Sequence, residues 1–171
     1  MIWSVGHSNR TIEAFCDVLA SAAIEHVVDV RSYPRSKRYP QFDRGPLGGS
    51  LHVAGLDYRH ARALGGMRRP HPDSPNTALR EEGFRGYADH MASAEFVDAL
   101  DALEVEARTT RIALMCAEAS PWHCHRQFLS DALSFRGLEV RHLIDAERFE
   151  AHRRHPQARF RDRTLSYPGL F

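Results

Sequence analysis

Residues 111–137 read RIALMCAEASPWHCHRQFLSDALSFRG and carry the clearest structural pattern in the chain. The apolar run at 112–115 ends on a thiol, Cys116, which predicts a buried strand that leads into a polar turn. Ser120 and Pro121 are typical of a helix start, and apolar residues then recur at helical spacing. The segment therefore predicts a strand, a loop and an amphipathic helix in succession.

Three polar residues, Cys124, His125 and Arg126, are predicted to lie in the first turn of that helix. Unpaired backbone N–H groups and the positive end of the helix dipole are found there, so anions are attracted and the pKa of a cysteine tends to fall. Cys116 ends the preceding strand and enters the same turn. These positions are candidates for thiol chemistry. The alternative is that Cys116 is a buried thiol that only packs.

Length and composition are those of an ordinary single domain. The chain has 171 residues, 43% of them hydrophobic and 26% charged, and its formal net charge of +1 indicates no polyanionic partner by itself. No apolar run is long enough to span a membrane and no secretory segment is found, so we expect a cytoplasmic protein without a membrane partner. Three cysteines, an odd and low number, argue against a disulfide framework.

Strands alternate with helices along the chain, and this order predicts parallel pairing through βαβ units. The expected fold class is α/β, a layered fold with a mostly parallel central sheet flanked by helices. Residues 1–144 are expected to form a single α/β domain, and residues 145–171 a C-terminal extension, with a short helix, packed on the same domain. The predicted strands are 2–5, 24–31, 56–60, 112–115 and 138–144.

Polar residues follow the predicted strands at one edge of the sheet. Ligands of open parallel sheets bind outside the carboxyl ends of the strands, so this convergence predicts a pocket there. The residues concerned are, in chain order, His7, Ser8, Asn9, Arg10, Asp29, Arg31, His60, Cys116 and Glu118.

Residues 31–44, RSYPRSKRYPQFDR, combine five basic residues with aromatic ones, and their prolines exclude a regular helix. Basic groups beside aromatic rings suit phosphates and stacked bases. The loop therefore indicates a phosphate-bearing ligand. The alternative is a solvated loop whose arginines pair with nearby acids.

Several chemistries are open to the candidate residues. Cys116 or Cys124 is a possible nucleophile, since nearby cations favour a thiolate, with Glu118, His7 or His125 moving protons. Glu118 would serve in this way if burial raised its pKa. Cysteines and histidines are also soft ligands for zinc or iron, although no C-x-x-C or H-x-x-x-H spacing is present. A disulfide between Cys116 and Cys124 is sterically conceivable and would need an oxidising role.

Seven short motifs occur along the chain. They are VGHSNR (5–10), VDVRSYPRS (28–36), PQF (40–42), LGG (64–66), GFRGY (83–87), MCAE (115–118) and CHR (124–126). Together they resemble domain-of-unknown-function family 488, and the resemblance runs from residue 2 to about residue 144. It implies a fold and a shared cleft and no particular reaction. Through its motifs it adds Gln41, Phe42 and Tyr87 to the candidate site.

A weaker likeness concerns the layout of rhodanese-like domains. An Asp-x-Arg strand, here with Asp29 and Arg31, is followed later by a strand that ends on Cys116 and leads into a helix. A phosphatase-like version of this layout carries an Arg six residues after the Cys, where this chain has Trp122, and Glu118 in the loop would repel an anion.

We therefore expect an enzyme, a cysteine-dependent hydrolase or transferase, whose pocket takes an anionic and possibly nucleotide-like substrate. Its alternatives are a nucleic-acid or nucleotide-binding module without catalysis and a metal-binding redox or sensor protein. A small anionic ligand or nucleic acid is the expected partner, and a homo-oligomer is compatible with the sequence. The catalytic candidates are Cys116, Glu118, Cys124, His125 and His7. The substrate-binding candidates are Ser8, Asn9, Arg10, Asp29, Arg31, Arg35, Arg38, Gln41, Phe42, Tyr87 and Arg126. The candidates for metal binding are Cys116, Cys124 and His125.

Overall fold

The computed structural model describes residues 1–170, which form a six-stranded sheet, a separate two-stranded hairpin and five α-helices. The strands are β1 (Ile2–Gly6), β2 (His26–Asp29), β3 (Asp57–His60), β4 (Ile112–Cys116), β5 (Val140–Leu143), β6 (Phe149–Ala151), β7 (Arg159–Arg161) and β8 (Thr164–Ser166). The main sheet has the order β3-β2-β4-β1-β5-β6, and its first five strands run parallel. The predicted α/β class with a mostly parallel central sheet is confirmed.

Five helices connect and cover these strands. They are α1 (Ile12–Ser21), α2 (Arg44–Val53), α3 (Glu82–His90), α4 (Ala94–Glu106) and α5 (Arg126–Phe135). Thr11 and Ser93 begin α1 and α4, because each side chain accepts a hydrogen bond from a backbone N–H three residues later. Within residues 1–170, no helix has both the length and the apolar character needed to cross a membrane.

The core consists of two apolar layers separated by the sheet. Alternate residues of β4 point to opposite faces, so Ala113 and Met115 pack with α1 and α2, while Ile112 and Leu114 pack with α3, α4 and α5. Because both faces are covered, all five residues of β4 are buried. This packing on both faces holds the central strands in place, and with them the first residues of the loops at their carboxyl ends.

The structure corrects the predicted start of α5. Pro121–His123 form one 3-10 turn, and Cys124 is extended, with φ −141° and ψ 152°. An extended residue cannot continue a helix, so α5 begins at Arg126, and Cys124 and His125 precede it instead of lying in its first turn. The Ser120 side chain makes no capping hydrogen bond.

The structure also corrects the short helix predicted within residues 145–171, because the described part of this region contains strands. β5 would otherwise be the outer strand of the sheet, and β6 pairs antiparallel with its free edge. β7 and β8 form a hairpin whose turn residues, Asp162 and Arg163, have φ of 50° and 62°. The sequence signal was weak because this turn lacks the Asn-Gly or Asp-Gly pair that usually marks such a hairpin.

Candidate functional site

A cavity of about 440 Å³ opens beside the carboxyl ends of β2, β3 and β4. Its walls come from the segments that follow these strands, from the start of α3 and from the turn before α5. The lining residues are Arg31, Ser32, Tyr33, Arg35, Gly66, Met67, Glu81, Gly83, Phe84, Cys116, Ala117, Glu118, His123, Cys124 and His125.

Two thiols and one imidazole meet at the wall of this cavity. The Cys116 sulfur lies 3.9 Å from Nδ1 of His125, and the Cys124 sulfur lies 3.6 Å from the same atom. All three side chains are buried, and their donor atoms lie within 4.8 Å of one another. Cys16, the third cysteine, is on α1 and is not part of this group. The arrangement suits either thiol chemistry or the binding of a soft metal ion.

The His125 ring is held from three sides. Its Nε2 donates a hydrogen bond to the Val30 carbonyl at 2.8 Å, and the Tyr87 ring packs edge-on against it with centroids 5.0 Å apart. Gly66 lies on the third side, where an added Cβ would come within 2.9 Å of Nδ1. Since a carbonyl can only accept, Nε2 carries the hydrogen, and Nδ1 of the neutral ring turns its lone pair toward the two sulfurs.

The two thiols differ in their acidity. A hydrogen bond from Cys116 holds the pKa of Cys124 well below its ordinary value, against the opposing effect of burial, and the positive charge of Arg126 lowers it further. The same bond, together with burial, raises the pKa of Cys116.

Arg126, a candidate for anion binding, is buried and makes its hydrogen bonds within the protein. Its Nη1 donates to the Ser4 hydroxyl at 3.1 Å, its Nη2 donates to the carbonyl of Glu118, and its Nε donates to the Cys124 sulfur at 3.5 Å. The guanidinium thereby ties the loop after β4 to β1 and to the cysteine. Close packing at Gly6 supports the same loop, since a Cβ there would lie 1.8 Å from the Glu118 carbonyl oxygen.

Asp29 and Arg31 form a buried ion pair under the edge of the cavity. Arg31 donates from Nε and Nη2 to the two carboxylate oxygens at 2.9 and 2.7 Å, and Tyr58 donates its hydroxyl to the same carboxylate at 2.7 Å. Nη2 also donates to the Phe42 carbonyl, and Nη1 lies 3.5 Å from Nε2 of His7. Of the pair, Arg31 reaches the cavity, and most of its donors are already used.

The other predicted residues after β1 lie behind this pair and do not line the cavity. His7 is buried, stacks on Phe42 with centroids 4.2 Å apart and donates from Nδ1 to the Ser8 carbonyl at 2.9 Å. Burial lowers the pKa of His7 to about 4. Arg10 donates to the carbonyls of Gly6 and Ile144.

Four further predicted residues also lie away from the cavity lining. Gln41 donates to the Arg10 carbonyl at 3.1 Å, and Tyr87, fully buried, donates to the Leu64 carbonyl at 3.0 Å. Asn9 and Arg38 are exposed. Fewer of the predicted site residues therefore line the cavity than the sequence indicated.

The mouth of the cavity combines charges of both signs with apolar surface. Arg35 is exposed and, within residues 1–170, its side chain makes no ion pair or hydrogen bond. Glu81 and Glu118, both exposed, supply carboxylates, so the burial that the sequence interpretation assumed for Glu118 is absent. Phe84 and Tyr33 add aromatic rings. This mouth suits a ligand that has an anionic end, a flat apolar part and hydrogen-bond donors.

Sequence reasoning did not assign several lining residues to the site, among them Gly66, Glu81 and Phe84. They belong to the long connection after β3 and to the start of α3, whose position no local periodicity fixes. The sequence signal that existed was the Gly65–Gly66 pair, since adjacent glycines permit the close approach of another segment.

Comparison with known proteins identifies the family and little else. No match is found among the curated proteins or the solved structures. The family model described as "Domain of unknown function DUF488" matches residues 11–133, which is most of the chain and includes Cys116, Cys124 and His125. The chain therefore belongs to the DUF488 family, as its motifs predicted.

Proposed function

We propose that this protein is an enzyme, a hydrolase or transferase, that binds a small anionic, nucleotide-like substrate in the cavity and carries out chemistry at Cys116, Cys124 and His125. The observation that carries this proposal is the meeting of two sulfurs and one imidazole nitrogen, within 4.8 Å of one another, at the wall of an accessible cavity. Convergent reactive groups in a cavity of this size are typical of active sites.

The substrate class follows from the groups at the mouth. Among the described residues that line the cavity, Arg35 is the arginine free to bind an anionic group, because the charge of Arg31 is balanced by Asp29. Phe84 and Tyr33 present rings to a flat group, and the carboxylate of Glu118 accepts hydrogen bonds from amino groups. A nucleoside phosphate combines these features, and a volume of about 440 Å³ can hold one.

Binding tests the substrate class. Adenosine monophosphate is titrated calorimetrically into wild type and into Arg35→Gln, which should bind about tenfold more weakly because one charge-assisted hydrogen bond is lost. Lys37→Gln is the matched control, since Lys37 is exposed in the same loop and does not line the cavity. Equal binding by the Arg35 and Lys37 variants would contradict the assignment of the anionic group to Arg35.

Turnover tests the reacting centre. Nucleoside mono-, di- and triphosphates are incubated with wild type, Cys116→Ser, Cys124→Ser and Cys16→Ser, and products are separated by chromatography. We expect both variants at the centre to lose activity and Cys16→Ser to keep it, because Cys16 lies on α1, outside the cysteine–histidine group. If serine at each of the two central cysteines left turnover unchanged, the proposal would fail.

A second candidate function is the binding of single-stranded nucleic acid. It is favoured by the loop at 31–44, where Tyr33 is 66% exposed and Lys37 and Arg38 are exposed without an ion pair among residues 1–170. Fluorescence anisotropy with a labelled oligonucleotide should then show binding that weakens as salt is raised. Lys37→Gln combined with Arg38→Gln should reduce this binding, and Arg161→Gln on β7, outside the loop, should not. Binding insensitive to salt would rule out a phosphate-dominated mode.

A further inference from the structure

We propose that Cys116, Cys124 and His125 bind a transition-metal ion of the zinc class and leave a fourth coordination position open to the cavity. The inference rests on the proposed function, since it assigns a cofactor to the same reacting centre. It goes beyond that function because an anionic substrate and a cysteine-dependent reaction do not require a metal.

The orientation of His125 is the first support. Its Nε2–H is committed to the Val30 carbonyl at 2.8 Å, so the nitrogen that carries the lone pair, Nδ1, faces both sulfurs. Histidines that bind metals almost always donate their other ring N–H to a carbonyl or carboxylate, which fixes the ring and the tautomer. Tyr87 and Gly66 leave the ring little freedom to turn away.

The spacing of the three donors is the second support. Bonds of about 2.3 Å to sulfur and about 2.1 Å to nitrogen, at a tetrahedral angle, place a sulfur and a nitrogen about 3.6 Å apart. The observed separations from Nδ1 of His125 are 3.6 Å to Cys124 and 3.9 Å to Cys116. Both sulfur–nitrogen separations therefore agree with an ion between the donors to within a few tenths of an ångström, and the two sulfurs lie within 4.8 Å of each other.

The surroundings provide the third support. All three ligands are buried and fixed by their neighbours, so the site exists before an ion arrives. Arg126 donates to the Cys124 sulfur at 3.5 Å, as a partner of a coordinating thiolate would. Each thiol releases its proton to solvent as a metal–sulfur bond forms, and two thiolates then balance the charge of a divalent ion.

The donor set also indicates which metal and which kind of site. Two sulfurs and one imidazole select zinc, or cobalt as its substitute, over magnesium and calcium, which prefer oxygen. Within residues 1–170 the group has three protein donors and lines the cavity. Three protein ligands with a fourth position open are typical of catalytic zinc sites, whereas structural sites are closed by four.

Cobalt titration under reducing conditions is the direct test. Chelator-treated protein should bind one Co²⁺ per chain with the strong visible absorption of tetrahedral sulfur coordination. Cys116→Ser, Cys124→Ser and His125→Gln should each bind about tenfold more weakly or worse, and Cys16→Ser should match wild type. Weak six-coordinate absorption from wild type, or equal affinity in Cys124→Ser and Cys16→Ser, would overturn the proposal.

Peptide-resolved alkylation is the second measurement and needs no variant to fold. In wild-type protein loaded with Zn²⁺, we expect slow alkylation of Cys116 and Cys124, and acceleration of both by chelator, with Cys16 as the internal reference. Unchanged rates after chelation would contradict metal binding. Reduced protein is also exposed to air with and without chelator, and a disulfide between Cys116 and Cys124 is detected as the loss of two hydrogens in mass. A disulfide that formed equally in both samples would also contradict metal binding.

The two proposals fail in different ways. If chelator-treated protein bound adenosine monophosphate but took up no Co²⁺, the proposed substrate class would be supported and the metal site would be contradicted. If the protein bound Co²⁺ in tetrahedral coordination but bound no nucleotide, the metal site would be supported and the proposed substrate would be contradicted.

Discussion

The carboxylate of Asp29 balances the buried positive charge of Arg31 at the edge of the cavity. It is fully buried and receives hydrogen bonds from Arg31 and from the Tyr58 hydroxyl. Asp29→Ala should lower the free energy of unfolding by about 3–5 kcal/mol, because it leaves a buried guanidinium without its counter-ion. Urea denaturation measures the loss. Asp57→Ala, at an exposed position of β3, should stay within about 0.5 kcal/mol of wild type. A loss below about 1 kcal/mol in Asp29→Ala would show that Arg31 finds another partner.

Gly66 is the residue whose lack of a side chain most directly serves His125. A Cβ at this position would lie 2.9 Å from Nδ1, so Gly66→Ala must displace the ring or the connection after β3. We expect the Co²⁺ affinity to fall by about tenfold or more, as for other groups that hold a metal-binding histidine in place. The control is Gly49→Ala in α2, where no atom lies within 4 Å of the added methyl group and the helix should gain about 0.5–1 kcal/mol. Unchanged affinity in Gly66→Ala would mean that the ring tolerates the shift.

At the scale of elements, α5 serves as the anchor for the C-terminal segment. Asp131 on α5 is fully buried and accepts hydrogen bonds from Nε2 of His152 at 2.8 Å, the Tyr167 hydroxyl at 2.8 Å and the backbone N–H of His155 at 3.1 Å. One carboxylate therefore holds three separate points of the segment that follows β5.

Replacing Asp131 should release that segment while the parallel sheet stays folded. In Asp131→Ala we expect trypsin to cut after Arg161 and Arg163 about tenfold faster or more, because the lost hydrogen bonds lower the free energy of local opening. Mass spectrometry of timed digests identifies the cuts. Asp98→Ala, an exposed position on α4, is the control and should be cut at the wild-type rate. Equal rates in both variants would show that apolar contacts alone hold the segment.

Elements differed in how far the sequence could predict them. The parallel strands β1, β2 and β4 were predicted from their apolar residues and β5 from its alternation, whereas β3, with the sequence DYRH, gave only a weak signal. The end of β4 then placed Cys116 at the carboxyl edge of the sheet. The extended conformation of Cys124, which delays the start of α5, could not be predicted. Ser120 and Pro121 carry an ordinary helix-start signal, and no local feature of the sequence marks Cys124 as extended. The close approach of Gly66 to His125 brings together two loops that are far apart in the sequence, and hydrophobic periodicity carries no information about such a contact.

At the scale of the whole molecule, two buried histidines couple stability to pH. Burial lowers the pKa of His7 to about 4 and that of His142 to about 3, from an ordinary value of 6.5. Because both native values lie below the unfolded one, the unfolded chain takes up protons first as pH falls. The stability contributed by the neutral rings is complete above about pH 6.5 and is lost between there and about pH 4 for His7, and about pH 3 for His142.

Urea denaturation at about pH 7.5 and about pH 5 measures this loss. We expect the free energy of unfolding to fall by about 2 kcal/mol for each of the two histidines, because each is then charged in the unfolded chain and still neutral in the native one. His7→Gln should reduce the fall by its own share of about 2 kcal/mol, whatever the variant does to stability at neutral pH. His71→Gln, at an exposed position, should leave the fall as in wild type. A stability that did not change between the two pH values would mean that the native state opens to hydrate these rings, and the stacking of His7 on Phe42 would then be too weak to keep water out.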